Sequence, residues 1–165
     1  MKCVASTCVL AFALTSGSYV GHVMADDSLP DLTKTPGASR PGLTKSKICS
    51  IRWGRDERHV TETMKRQVFA DSGYSGYDDP LCVADSHGKR CEIGHLVSRE
   101  LGGADEIANL WPQSYGGAPW NAHIKDKLEN RLHREKCAGR ISLAQARALL
   151  VSDWRKAYER YFGAP

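Results

Sequence analysis

The chain has 165 residues and a formal charge of +4 at neutral pH. That length suits one domain of ordinary size, and so mild a basic excess is compatible with a polyanionic partner without identifying one. There is no internal repeat or low-complexity tract. No Gly-rich phosphate loop precedes a helix and no GxSxG elbow occurs, which leaves nucleotide-triphosphate chemistry and serine-type hydrolysis without support.

In chain order, Lys2 supplies a small positive start, residues 4–14 are apolar, and Val23-Met24-Ala25 ends in a small residue before Asp26-Asp27. This is the pattern of a secretory signal peptide over residues 1–25. Thr15, Ser16, Gly17 and Ser18 interrupt the apolar run, which falls short of the ~20 residues that span a bilayer, so a membrane anchor is the weaker reading. Residues 26–47, punctuated by Pro30, Pro36, Gly37, Pro41 and Gly42, read as an extended leader, poorly ordered or laid over the surface. The ordered domain is expected over residues 48–165.

Val60, Met64 and Val68 recur every four residues and predict a helix capped at Asp56 and stopped at Gly73. A Gly-, Asp- and Tyr-rich loop follows. Residues 90–97 read as a short strand and 101–106 as a loop. Residues 107–111 read as a second strand ended by Pro112. Asn121 caps a helix with the apolar stripe Ile124, Leu128 and Leu132. Ser142 and Gln145 form a capping box that opens a last helix, whose buried face carries Leu143, Leu149, Leu150, Trp154, Tyr158 and Tyr161.

Cys3 and Cys8 leave with the signal peptide. Cys49, Cys82, Cys91 and Cys137 remain, which in an exported chain reads as two disulfides. Four cysteines allow three pairings. A local bridge from Cys82 to Cys91 across the turn-rich Asp85-Ser86-His87-Gly88 is favoured, which leaves Cys49 with Cys137. A zinc site is the lesser alternative, because no CxxC spacing occurs.

The stretch that carries chemistry is CEIGHLVSRELGGADEIANLWPQ followed by NAHIKDKLENRLH. His95 ends a strand, Asn109 follows a Gly-Gly loop, and His123 and Asp126 share one face at the start of a helix. Phosphodiester hydrolysis needs an activated water and stabilised charge on the phosphoryl oxygens. An imidazole can take the proton near neutral pH, and a divalent metal can neutralise the phosphate. Asn109 can hold the His95 loop through amide hydrogen bonds. Alone, each of these residues has a plainer reading: His95 a structural histidine, His123 a solvated side chain, Lys125 and Lys127 a solvated helix face. His133 reads as an exposed side chain pairing with Glu129. His59 and His87 read as surface residues, and Trp111 and Trp120 as core. Asp85 and Asp105 could bind metal, but the plainer reading is turn chemistry, which favours aspartate in such loops. The row Arg52, Arg55, Arg58, Lys65 and Arg66 reads as a solvated face unless a phosphate site claims it.

Taken together, Thr35-Pro36-Gly37-Ala38, Cys49, Gly94-His95-Leu96, Leu101-Gly102-Gly103, Asn109-Leu110-Trp111-Pro112 and residues 121–133 resemble the HNH endonucleases, the ββα-metal group, and especially its small exported bacterial members. The resemblance covers residues 35–161. It implies an α+β fold with a small ββα-metal core surrounded by helices, and cleavage of DNA, or of RNA; so short a chain leaves no separate DNA-reading module, so no strong sequence preference is expected. It makes His95 the general base, Asn109 the residue that buttresses the loop, and His123 a metal ligand, helped by Asp126 or Glu92. The metal is expected to be Mg²⁺ or Mn²⁺, with Zn²⁺ or Ni²⁺ as alternatives. Arg52, Arg55, Arg99 and Lys125 are the candidate phosphate contacts. One departure stands out: the group commonly has Asp before the catalytic His as a metal ligand, and here the residue is Gly94. Glu92 lies on the same side of the strand as residue 94 and is the expected substitute. Two other readings follow from that departure. One is a binding module for nucleic acid or an envelope partner that kept the fold without the chemistry. The other is a disulfide-stapled envelope protein with affinity for neither metal nor nucleic acid.

Overall fold

The computed structural model describes residues 28–51, 55 and 57–165. The expected signal peptide, the phosphate candidate Arg52 and the helix cap expected at Asp56 lie outside them. Within them the fold is α+β, with four helices, one two-stranded sheet and two disulfides. No helix among the described residues is long and apolar enough to cross a membrane.

Helix α1 (Lys45–Ser50) begins where the Thr44 hydroxyl accepts from the Lys47 amide. Helix α2 (Glu62–Asp71) begins on Thr61, whose hydroxyl accepts from the Met64 amide, and not at Asp56. The chain before it is held extended, because the His59 amide donates to Asp105 Oδ2 at 2.6 Å. The sequence-predicted row does its expected work: Val68 and Phe69 are buried, with Val60 and Met64 packed beside them.

Strands β1 (Cys91–His95) and β2 (Leu110–Ser114) pair antiparallel, with Glu92 opposite Gln113, Gly94 opposite Trp111 and His95 opposite Leu110. Alternation puts Cys91, Ile93 and Leu110 on the face packed against α2, and Glu92 and Gln113 on the other. Residues 107–109 form a 3₁₀ turn rather than strand, and β2 continues through Pro112. A two-stranded ribbon leaves every second N–H of each strand outside the ladder, so a proline there need not break a bond.

Helix α3 (Ala122–Cys137) is capped by Asn121, whose side chain accepts from the Ile124 amide. Helix α4 (Leu143–Phe162) carries the capping box of Ser142 and Gln145. The two pack through Leu128, Leu132, Leu150, Trp154 and Tyr158. The single last helix read from the sequence is kinked at Asp153, where the backbone leaves helical geometry (φ −170°, ψ 98°). The Asp153 carboxylate then accepts from the Arg155 amide at 3.1 Å and restarts the helix.

The leader from residue 28 on is not loose. The Thr35 hydroxyl donates to the Leu110 carbonyl, Gly37 N–H to Ala108 O, Arg40 N–H to Gly102 O, and Trp154 Nε1–H to Ser28 O. It lies as a strap across the 96–109 connection between the strands. Cys82 pairs with Cys91, and Cys49 with Cys137, tying α1 to the end of α3. Both are the favoured pairs, and they fit an oxidising compartment.

Candidate active site

His95 leaves β1 at its last position, next to the long connection. Asn109 closes that connection. Fully buried, its Oδ1 accepts from the Val97 amide at 2.8 Å, while its Nδ2 donates to the carbonyls of Val97 (3.1 Å) and Ala104 (3.0 Å). All three of these bonds go to backbone, and they span the connection from Val97 to Asn109. Gly103 is required at the same place, since a Cβ there would lie 1.8 Å from the Val97 carbonyl oxygen.

The His95 ring is 8% exposed, and its Nε2 lies 2.7 Å from Asp105 Oδ1. Burial pushes the imidazole down from the ordinary 6.5 to about 4. The Asp105 bond opposes that shift, and the guanidinium groups of Arg58 and Arg99 reinforce it. Burial works against the Asp105 carboxylate, but the His59 amide, His95 and Arg99 hold it below its ordinary value. At neutral pH the pair is therefore a neutral imidazole on an ionised carboxylate. Nε2 carries the proton that Asp105 accepts, and Nδ1 is left bare as a proton acceptor.

His95 lines a cleft of about 460 Å³. Arg58, Lys89 and Arg99 give it positive charge, and Glu92, Asp126 and Glu129 give it negative charge. Asp126 is pushed up to about 7 by burial and by the neighbouring Glu129 and Glu92. Its carboxylate has no hydrogen-bond or ion-pair partner among the described residues. Glu92 accepts a 2.5 Å bond from the Tyr115 hydroxyl, and burial and that bond raise the Tyr115 phenol. His123 also lines the cleft. Its ring packs on Tyr115 with centroids 5.0 Å apart, and its Nε2 lies 3.1 Å from Asp85 Oδ2. A carboxylate on one ring nitrogen is the usual partner of a histidine whose other nitrogen binds metal.

The expected site residues thus divide. His95, His123, Asp126, Glu92 and Arg99 line one cleft, and Asn109 stands behind it. Arg55 is exposed and is not among the cleft residues. Lys125 is a correction: it is 1% exposed, donates to the His95 carbonyl at 2.6 Å and pairs with Glu129, so it is buried under the cleft rather than presented to a phosphate. Those two bonds offset the cost of burying its polar head. It holds α3 against the end of β1. His133 is a second correction, since Glu129 is taken by Lys125 and His133 Nε2 bonds the Ile48 carbonyl at 2.9 Å.

Sequence reasoning left Asp105, Asp85 and Arg58 with their plainer readings and missed Lys89 and Tyr115 as members of the site. Both aspartates were read as turn residues, and Asp85 is one, accepting from the amides of His87 and Lys89 as well as facing His123. Arg58 reaches the cleft by donating to the Ile93 carbonyl, from a segment read as a solvated helix face. No periodic signal marks such residues, because each enters from a different loop.

The oxygen donors of Glu92 and Asp126 suit a divalent cation, and His123 lines the same cleft. Mg²⁺ is commonly held by only one or two carboxylates, with water and substrate phosphate completing its shell. Among the described residues no three His, Cys, Asp or Glu side chains are gathered as a ready-made cage, so any cation here would be of that open kind. Comparisons with protein-family models, with characterised proteins and with solved structures find no match.

Proposed function

We propose that this protein is an exported, metal-dependent endonuclease of the HNH kind, hydrolysing phosphodiester bonds of DNA or RNA outside the cytoplasm. The observation that carries the reading is the neutral, carboxylate-held His95 on the wall of a cleft lined by both carboxylates and cations. A nuclease needs that combination: a base, a seat for a cation, and positive charge for phosphate.

In this reading His95 Nδ1 takes the proton of the attacking water, and the Asp105 carboxylate stabilises the imidazolium that results. The incoming phosphate itself opposes the desolvation that holds His95 neutral, so the base strengthens when substrate is bound. Arg58, Arg99 and Lys89 offset charge on the phosphoryl oxygens. Asn109 and Gly103 keep the loop that starts at His95 in one conformation. Glu92, Asp126 and His123 would hold the divalent ion, which supplies Lewis-acid stabilisation of the phosphoryl group and the leaving oxygen. The antiparallel ribbon, with α3 after it in the chain, supports the reading, since the HNH resemblance implies a ββα core. The two disulfides support a site of action in the periplasm or the medium.

Gly94, standing where the group commonly has a metal-binding Asp, supports a second reading, a nucleic-acid-binding module without catalysis. Supercoiled plasmid separates the two. The oxidised protein is expected to nick it with Mg²⁺ or Mn²⁺ and to stop when a chelator is added. Binding without nicking in Mg²⁺, Mn²⁺, Ni²⁺ and Zn²⁺ would establish the second reading instead.

A further inference from the structure

Gln113 is 4% exposed and lines the cleft, yet its carboxamide has no hydrogen-bond partner among the described residues. An amide that opens onto the cleft without a protein partner is left for water or an ion to satisfy. The side chain lies over Gly94. A Cβ built on Gly94 would sit 1.9 Å from Gln113 Oε1, 2.9 Å from its Cδ and 3.2 Å from Glu92 Oε1. Only glycine at 94 lets that oxygen take its place, so Gly94 and Gln113 are a matched pair. Register explains the approach: Gln113 is directly opposite Glu92, and both stand on the face of the ribbon turned away from α2. Asp126, from the first turns of α3, lines the same cleft with its carboxylate also unpartnered.

We propose that Gln113 Oε1 is a further ligand of the divalent cation, beside the carboxylates of Glu92 and Asp126, in the space that Gly94 leaves open. The inference rests on the divalent-cation reading above and adds a donor to it. An amide oxygen is a hard donor, as suited to Mg²⁺ and Mn²⁺ as a carboxylate. Being neutral, it joins Glu92 and Asp126 without adding a third negative charge to carboxylates that already repel each other. Gly94 then does not weaken the site. It makes room for the oxygen that serves there.

The test is Mn²⁺ binding to the oxidised protein, read by calorimetry and by loss of the free-Mn²⁺ electron paramagnetic resonance signal. Wild type should bind one ion. Gln113→Leu, close in size, should bind at least about tenfold more weakly, the scale on which altered metal surroundings act. Gln113→Glu should bind several-fold more tightly, and this variant decides the matter if the leucine form does not fold. Wild-type affinity in Gln113→Leu, unchanged or weaker affinity in Gln113→Glu, or no Mn²⁺ binding by wild type would overturn the assignment. Nicking assays on the same samples keep the two readings apart. The predicted affinity pattern without any nicking leaves the ligand assignment standing and removes the nuclease. Metal-dependent nicking with Gln113→Leu binding as wild type does the reverse.

Discussion

His95 is neutral because it is buried, and that has a consequence for folding. Its imidazole falls from the ordinary 6.5 to about 4 in the native state, so the folded protein resists protonation that the unfolded chain accepts. A lowered histidine contributes stability in full above the unfolded value, and the contribution is lost as pH falls toward the folded one. Between about pH 6.5 and 4, wild type should therefore lose roughly 3 kcal/mol relative to His95→Asn. Denaturant unfolding of the two across that window checks this, and parallel curves would contradict it. Asp105 acts through the same ring. Asp105→Asn should keep Mn²⁺ affinity near wild type while slowing cleavage at least about a hundredfold, the usual worth of a positioned base. An unchanged cleavage rate would remove Asp105 from the mechanism.

At the scale of elements, the connection from His95 to Leu110 is the part that sets the site, and it is rigid through backbone bonds. Asn109→Ala would strip partners from the Val97 amide and from the Val97 and Ala104 carbonyls at once. Leaving several buried polar groups unpaired should cost about 2–4 kcal/mol, measurable as a drop in denaturation midpoint together with slower cleavage. A variant as stable as wild type would show that the loop holds itself. The regular elements were legible because burial writes a period into them: the Val60, Met64 and Val68 row, the α3 stripe and the Ser142–Gln145 box all appear where expected. The strap from residue 28 was not, since most of its docking runs through backbone amides and carbonyls that carry no side-chain signature. The kink at Asp153 escaped for a related reason: an aspartate that caps the second half of a helix has the same apolar neighbours as one on its exposed face.

For the molecule as a whole, the disulfides should not contribute equally. Cys49–Cys137 closes a separation of 88 residues and Cys82–Cys91 one of 9. Chain entropy predicts about 4–5 kcal/mol for the first and about 2–3 for the second. Replacing Cys49 and Cys137 together by serine should lower the melting temperature more than replacing Cys82 and Cys91. The reverse order would mean that local geometry outweighs loop length. The site follows the same division between local and distant. His95 and Asn109 could be read from the sequence because they flank a single connection. Asp105 facing His95, Asp85 facing His123 and Gln113 over Gly94 could not, because each contact is made across chain segments that only the fold brings together. Lys125 was misread for the same reason, as its helix position gives no hint of the His95 carbonyl beneath it. The central claim is that His95 is the base of a metal-dependent nuclease. Its most direct test is the rate at which Mn²⁺-loaded wild type and His95→Ala nick supercoiled DNA, at equal metal occupancy and with both proteins folded. The account predicts nicking by wild type and a loss of at least about a hundredfold in the variant. Equal rates would contradict it.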